Sequence, residues 1–182
     1  EATVASQVVG PFLLTTLLLD TLRGAPRLPA RVITMSSGGM YSADLTVDEL
    51  EMSAGEYRGT EQYARAKRAQ VTLNEMWSER VPRTEVVFHA LHPGWADTPG
   101  VRESLPTFRK VVGPLLRSPD QGADTLVWLA ADDGEPVESS GGFWLDRRER
   151  SIHRLARTRR SDTTERRNEL WEWCVARSGL HP

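Results

Sequence analysis

The sequence predicts an α/β protein, a doubly wound parallel sheet with helices on both faces. Two observations carry that prediction. Helical and strand-like segments alternate along the 182 residues, and alternation of this kind needs crossover connections and hence parallel strands. The strand-like runs are also short, apolar and rich in β-branched residues, as strands buried on both faces are.

The elements follow in order. Residues 3–22 form a helical pattern with Val4, Val8, Phe12 and Leu19 among its apolar positions. Its core, "VVGPFLLTTLLLD", is broken by Gly10, Pro11, Thr15 and Thr16, so it is too short to cross a bilayer and reads as a buried helix with no membrane span. "GAPRLP" breaks the chain, and "ARVITM" is the first strand, ending at Ser36 and Ser37 before Gly38 and Gly39. Residues 44–59 are polar, with a short helix expected around "TVDELEM". Residues 60–80 form a long helix opened by Thr60 and terminated by Pro82. "TEVVFHAL" is the next strand, stopped by the loop "HPGWADTPG". Residues 101–117 are weakly helical, interrupted by Pro106 and Pro114. "SPDQGADTLVWLAAD" carries the start signals Ser118 and Pro119, with an apolar face through Ala123, Val127 and Ala130. "GGFWLD" is a last short strand, and residues 163–177 close the chain as a helix along which Leu170, Trp173 and Arg177 are spaced.

Composition narrows the function. With 39% hydrophobic and 26% charged residues the chain is an ordinary globular domain, and a net charge of -2 gives no footprint for nucleic acid. A single cysteine, Cys174, leaves no disulfide framework and fits a reducing, cytoplasmic setting. No His, Asp or Glu spacing suggests a metal. The basic run "RRERSIHRLARTRR" has acids nearby and no interleaved aromatics, so it reads as solvated surface. The chain opens on Glu1 and runs almost at once into an apolar helix, so part of a domain is expected upstream.

In doubly wound sheets ligands bind beyond the carboxyl ends of the strands. Ser36 and Ser37 lie at one such end and the 92–100 loop at another, and the helix after the first carries Tyr63 and Lys67 at i and i+4, on one face. The three features converge on one rim. His92 is read as structural, like His89 and His153, and Trp144 as core; Asp146 and Arg147 are expected to help close the site.

"ITMSS", "YARAK" and "HPGWADT", in that order and with those elements between them, resemble the short-chain dehydrogenase/reductase family. "RVITMSSGGM", "HPGWADTPGV" and "GGFWLDRR" look most like its member-12 branch. The resemblance implies a Rossmann-like fold, NADP or NAD as cofactor, and hydride transfer between nicotinamide and a small carbonyl or alcohol substrate. It implies that Tyr63 is the acid/base, that Lys67 tunes it and holds the nicotinamide ribose, and that Ser37 polarises the substrate oxygen. A phenol ordinarily titrates near ~10, and a neighbouring ammonium draws that value down. Pro93, Gly94, Trp95 and Thr98 are placed at the cofactor by the same analogy, and a homo-oligomer is expected.

Two departures stand out. Gln7, in "QVVG", occupies the place of the asparagine that completes the family's proton relay. No glycine-rich pyrophosphate turn is present, so residues 1–182 are expected to be the carboxyl-terminal part of a single such domain, inactive alone. A sugar-nucleotide epimerase or dehydratase shares the Tyr/Lys chemistry, and a non-catalytic scaffold would explain the absent turn.

Overall fold

A computed structural model describes residues 2–27, 29–97 and 116–180. The predicted weak helix over 101–117 and the loop position Thr98 fall outside the described residues, save for 116 and 117. Helix α1 runs Ala2–Arg23, strand β1 Ala30–Met35, helix α2 Gly59–Arg80 and strand β2 Val86–Leu91. Helix α3 is Pro119–Ala131 and α4 Glu135–Glu138; strands β3 and β4 are Phe143–Leu145 and Arg148–Glu149. The chain closes with α5, Ala156–Ser161, and α6, Thr164–Ser178.

The sheet order is β1-β2-β3-β4. β1 and β2 pair in parallel from Ala30↔Val86 to Met35↔Leu91, and β2 pairs β3 in parallel. β4 returns antiparallel on β3. All six residues of β2 are buried. Alternation of side chains along the strands sends Val32 and Phe88 to one layer and Ile33 and Leu91 to the other. The first layer holds α1, α2 and α6, joined by Phe12, Trp77 and Trp171. Trp77 stacks on Phe88 at 5.9 Å and meets Trp171 edge-on at 4.7 Å. The second layer holds α3 through Leu129, with Trp144 beneath it. The doubly covered parallel sheet is the predicted architecture.

Four local expectations are corrected. α1 is buried on one face only: Val4, Val8 and Phe12 are inside, whereas Leu14, Leu17 and Leu18 are 58%, 65% and 42% exposed. At 22 residues it is also long and apolar enough to cross a membrane by length and composition, so the interruptions do not shorten it. "TVDELEM" makes turns, not a helix; Leu45, Val47 and Leu50 enter the core, and Gln62 of α2 holds the Leu50 carbonyl and the Met52 amide. α2 begins at Gly59 with no side-chain cap, so Thr60 lies inside it. α3 buries Gly122, Thr125 and Leu129, leaving Val127 exposed. Its inner face is chosen by close approach, since a Cβ on Gly122 would lie 3.1 Å from Ala96 Cβ. Apolarity alone pointed to the wrong side. The start signal is confirmed: Ser118 and Gln121 form a reciprocal capping box.

α1 carries a π-helical turn over Ala5–Val9, in which the Gly10 amide reaches the Ala5 carbonyl. Pro11 follows directly. A proline inside a helix donates nothing to the carbonyl four residues back and crowds it. The widened turn relieves that crowding, and the carbonyl left over is that of Gln7.

Candidate active site

The carboxyl ends of β1 and β2 set the site. After Met35 the chain passes Ser36 and Ser37 into a 3-10 turn, Gly38–Ser42. Ser36 is buried and its hydroxyl donates to the Lys67 carbonyl at 3.1 Å, a bond that clips strand to helix. Ser37 caps the 3-10 turn, its Oγ accepting from the Gly39 amide at 3.2 Å. Because Ser37 Oγ only accepts in this cap, its O–H proton stays available to donate. A Cβ on Gly39 would sit 3.7 Å from Ser37 Oγ and 3.8 Å from Tyr63 Cε1. The serine hydroxyl and the tyrosine ring therefore both border Gly39.

Tyr63 is 38% exposed, with its ring open to a ligand, while Lys67 is 8% exposed. The Lys67 ammonium lies 5.4 Å from the Tyr63 ring centre. It donates to the Met35 carbonyl at 2.9 Å and to Gln70 Oε1 at 3.0 Å, which uses two of its three donors. No carboxylate pairs with it among the described residues. Burial pulls its pKa down from 10.5 to about 8.

The loop after β2 closes the other side. His92 stacks edge-on against Trp95 at 6.5 Å, and Trp95 is 46% exposed. Burial first, then the charges of Arg117 and Arg154, push the His92 pKa down to about 4, so the ring is neutral at pH 7. Its Nδ1 is buried without a hydrogen-bond partner among the described residues, and a Cβ on Gly38 would come 2.7 Å from its Nε2. Gly94 has φ +78, and a Cβ there would lie 2.7 Å from the Arg117 guanidinium, so only glycine fits. Arg117 joins Asp146 through two hydrogen bonds, one of 2.9 Å, and its backbone bridges Trp95 and Asp97. Asp146 and Arg147 both adopt positive φ in the β3–β4 turn. The turn is held from outside by Arg117 on Asp146 and by Asp124 on Arg147.

The structure thus brings Ser37, Tyr63, Lys67, Pro93, Gly94 and Trp95 to one rim; Thr98 lies outside the described residues. Gln7 is reached differently from the expectation: its Oε1 is buried without a partner among the described residues, and its main-chain carbonyl accepts from Gln70 Nε2 at 2.6 Å. Sequence reasoning missed Gln70, although its place three residues after Lys67 was a signal. It also missed Arg68, which is fully buried and donates to the Met40 and Ala43 carbonyls at 3.0 and 3.2 Å. That cation anchors the turn behind Ser37, and nothing in an arginine beside a lysine announces it.

No family model matches the chain. The human protein named dehydrogenase/reductase SDR family member 12 is 41% identical over 165 residues, covering 91% of this chain and 51% of its own length. The chain belongs to the short-chain dehydrogenase/reductase family. It spans about half the length of that relative. A crystal structure of an uncharacterized Mycobacterium paratuberculosis protein superposes with TM-score 0.69 at 22% identity, covering all of this chain and 60% of that one. The NADP complex of Pseudomonas aeruginosa RhlG matches with TM-score 0.52 at 19% identity, covering 71% of this chain and 50% of that one. Both share the Rossmann-like fold.

Proposed function

We propose that this chain carries the catalytic rim of an NADP- or NAD-dependent oxidoreductase that interconverts a small carbonyl compound and its alcohol. The observation that carries the reading is that Ser37 Oγ and the Tyr63 ring both border Gly39, beside an ammonium with a donor to spare. A buried lysine without a carboxylate is costly, and a ligand rich in hydroxyl oxygens, such as a nicotinamide ribose, answers it. The residues present therefore fit the cofactor. The NADP of the Pseudomonas complex and the dehydrogenase/reductase name of the human relative support the same reading.

When bound, the reduced nicotinamide supplies a hydride. Ser37 donates its O–H to the substrate carbonyl oxygen and draws electron density towards it. Tyr63 would give its hydroxyl proton to the substrate oxygen as negative charge gathers there. In the alcohol direction the Tyr63 oxygen takes that proton back. The Lys67 ammonium would hold positive charge beside the tyrosine, and Pro93, Gly94 and Trp95 would help to hold the cofactor.

Calorimetric titration of NADPH and of NADH into the purified chain, with Lys67→Ala as control, tests the reading. Binding by the wild-type chain that is lost in Lys67→Ala supports it. Binding undiminished in Lys67→Ala, or retained alongside full carbonyl reduction in Tyr63→Phe, would overturn it.

A further inference from the structure

We propose that Gln70 is a positioning residue for Lys67, its side-chain amide holding the ammonium at one end and the π turn of α1 at the other. The inference rests on the reading of Lys67 above. Four links carry it. Pro11 has no amide hydrogen for Gln7, and the π turn over Ala5–Val9 makes room for its ring. The Gln7 carbonyl so released accepts Gln70 Nε2 at 2.6 Å. Drawing on both ends of one amide fixes its orientation, which leaves Gln70 Oε1 facing Lys67 Nζ at 3.0 Å. Gln70 is 8% exposed and cannot turn to water without losing both bonds.

The alternatives for Lys67 are few. The residues that meet it from β1 and α1 are Met35, Ser36 and, through Gln70, Gln7, none of them charged. On its own helix the titratable neighbour is Tyr63, and Arg68 is committed to the Met40 and Ala43 carbonyls. The acids of α2 are engaged elsewhere: Glu61 with Arg58 and Arg65, and Glu75 with Arg167. The amide of Gln70 is thus the one side-chain acceptor for the ammonium among the described residues. An acid at this place would neutralise the cation, whereas an amide orients it and leaves its charge for Tyr63 and a ligand. The sequence reason for this wiring is Pro11, ~60 residues away, which helix propensity alone marks as a defect.

The chain has two lysines, Lys67 and Lys110, so lysine-selective carbon-13 labelling resolves the Lys67 titration by NMR in the full 182-residue chain. Gln70→Leu removes the acceptor and is expected to lower the Lys67 midpoint by about one unit, the worth of a hydrogen bond to a charged group. Gln70→Glu keeps the shape and adds charge, and is expected to raise it by one unit or more. Pro11→Ala restores an amide that competes for the Gln7 carbonyl, and is expected to move the midpoint in the direction of Gln70→Leu by a smaller amount. Opposite shifts from Leu and Glu establish the contact, because a packing defect would not reverse sign with charge. If Gln70→Leu does not fold, the Glu variant decides alone. A midpoint unmoved in Gln70→Glu would overturn the proposal, and one unmoved in Pro11→Ala would overturn the tie to α1. The titration needs neither cofactor nor turnover, so its failure is distinct from a failure to bind nicotinamide.

Discussion

Lys67→Met separates what the fold wants from what the site wants. Methionine matches the lysine stem in length and is apolar, so it fills the same buried channel. In the wild type the folded pKa is drawn from 10.5 to about 8 by burial. The sign follows from proton counting. Between pH 8 and 10.5 the unfolded chain binds more protons than the folded one, so stability rises with pH across that window. Below pH 8 the lysine is charged in both states, and the full cost of burying the charge, about 3 kcal/mol, is present. Methionine removes that cost but leaves the Met35 carbonyl and Gln70 Oε1 without their donor, which returns ~1 kcal/mol each. The variant is therefore expected to be more stable than wild type at pH 7 by about 1 kcal/mol. By pH 10 the folded lysine is neutral and the difference reverses. Urea unfolding followed by tryptophan fluorescence reads this directly, because Trp77 and Trp144 are buried. Taking the difference between variant and wild type at each pH cancels groups remote from Lys67, which the two chains share. A variant less stable by ~2 kcal/mol or more at pH 7 would show that the ammonium is a structural asset and refute the reasoning. So would a difference that stays constant from pH 7 to 10.

Tyr63→Phe should leave stability within ~0.5 kcal/mol, since the side chain is 38% exposed, while reducing turnover of the whole enzyme by ~10²-fold or more; denaturation and steady-state assays check the two halves. Gly94→Ala must accept φ +78 and displace the Arg117 guanidinium, so thermal unfolding should show a loss of about 1–3 kcal/mol. Asp162 is 2% exposed and binds Arg167 Nε at 2.6 Å and His153 Nε2 at 3.2 Å. Asp162→Ala removes those contacts while Arg167 keeps Glu75, and should cost about 1–2 kcal/mol in urea unfolding. His92, with its pKa down at about 4, should contribute no limb to a pH–rate profile between pH 5 and 8, and His92→Gln should leave the profile's shape in that range unchanged.

The order of elements and the rim were legible because they rest on local, periodic signals. β2 reads as buried because all six of its side chains are apolar or small except His89, and that histidine is satisfied by the Pro136 carbonyl and the Trp144 indole. Tyr63 and Lys67 read as a pair because helix geometry fixes i and i+4 on one face. What stayed hidden depends on partners distant in sequence. The inner face of α3 is set by how closely Gly122 approaches Ala96. The hairpin that adds β4 needs Asp146 and Arg147 at positive φ, a turn that composition disfavours and that Arg117 and Asp124 hold in place. Arg68 looks like a surface cation until the two carbonyls it serves are known.

A single physical theme links the hidden parts. Lys67 and Arg68 are adjacent, both buried, and both bonded to carbonyl or amide oxygens instead of carboxylates. Arg68 turns towards the loop behind Ser37, and Lys67 towards Tyr63. Neutral acceptors can orient a cation without cancelling it, so the positive potential at the carboxyl end of β1 survives folding. The acids near α2 have partners of their own: Glu75 with Arg167, Glu61 with Arg65, and Asp162 with Arg167. Arg167 of α6 holds two of those acids, which gives the closing helix a task beyond covering the core. It thereby occupies negative charge beside the helix that presents Lys67 to Tyr63.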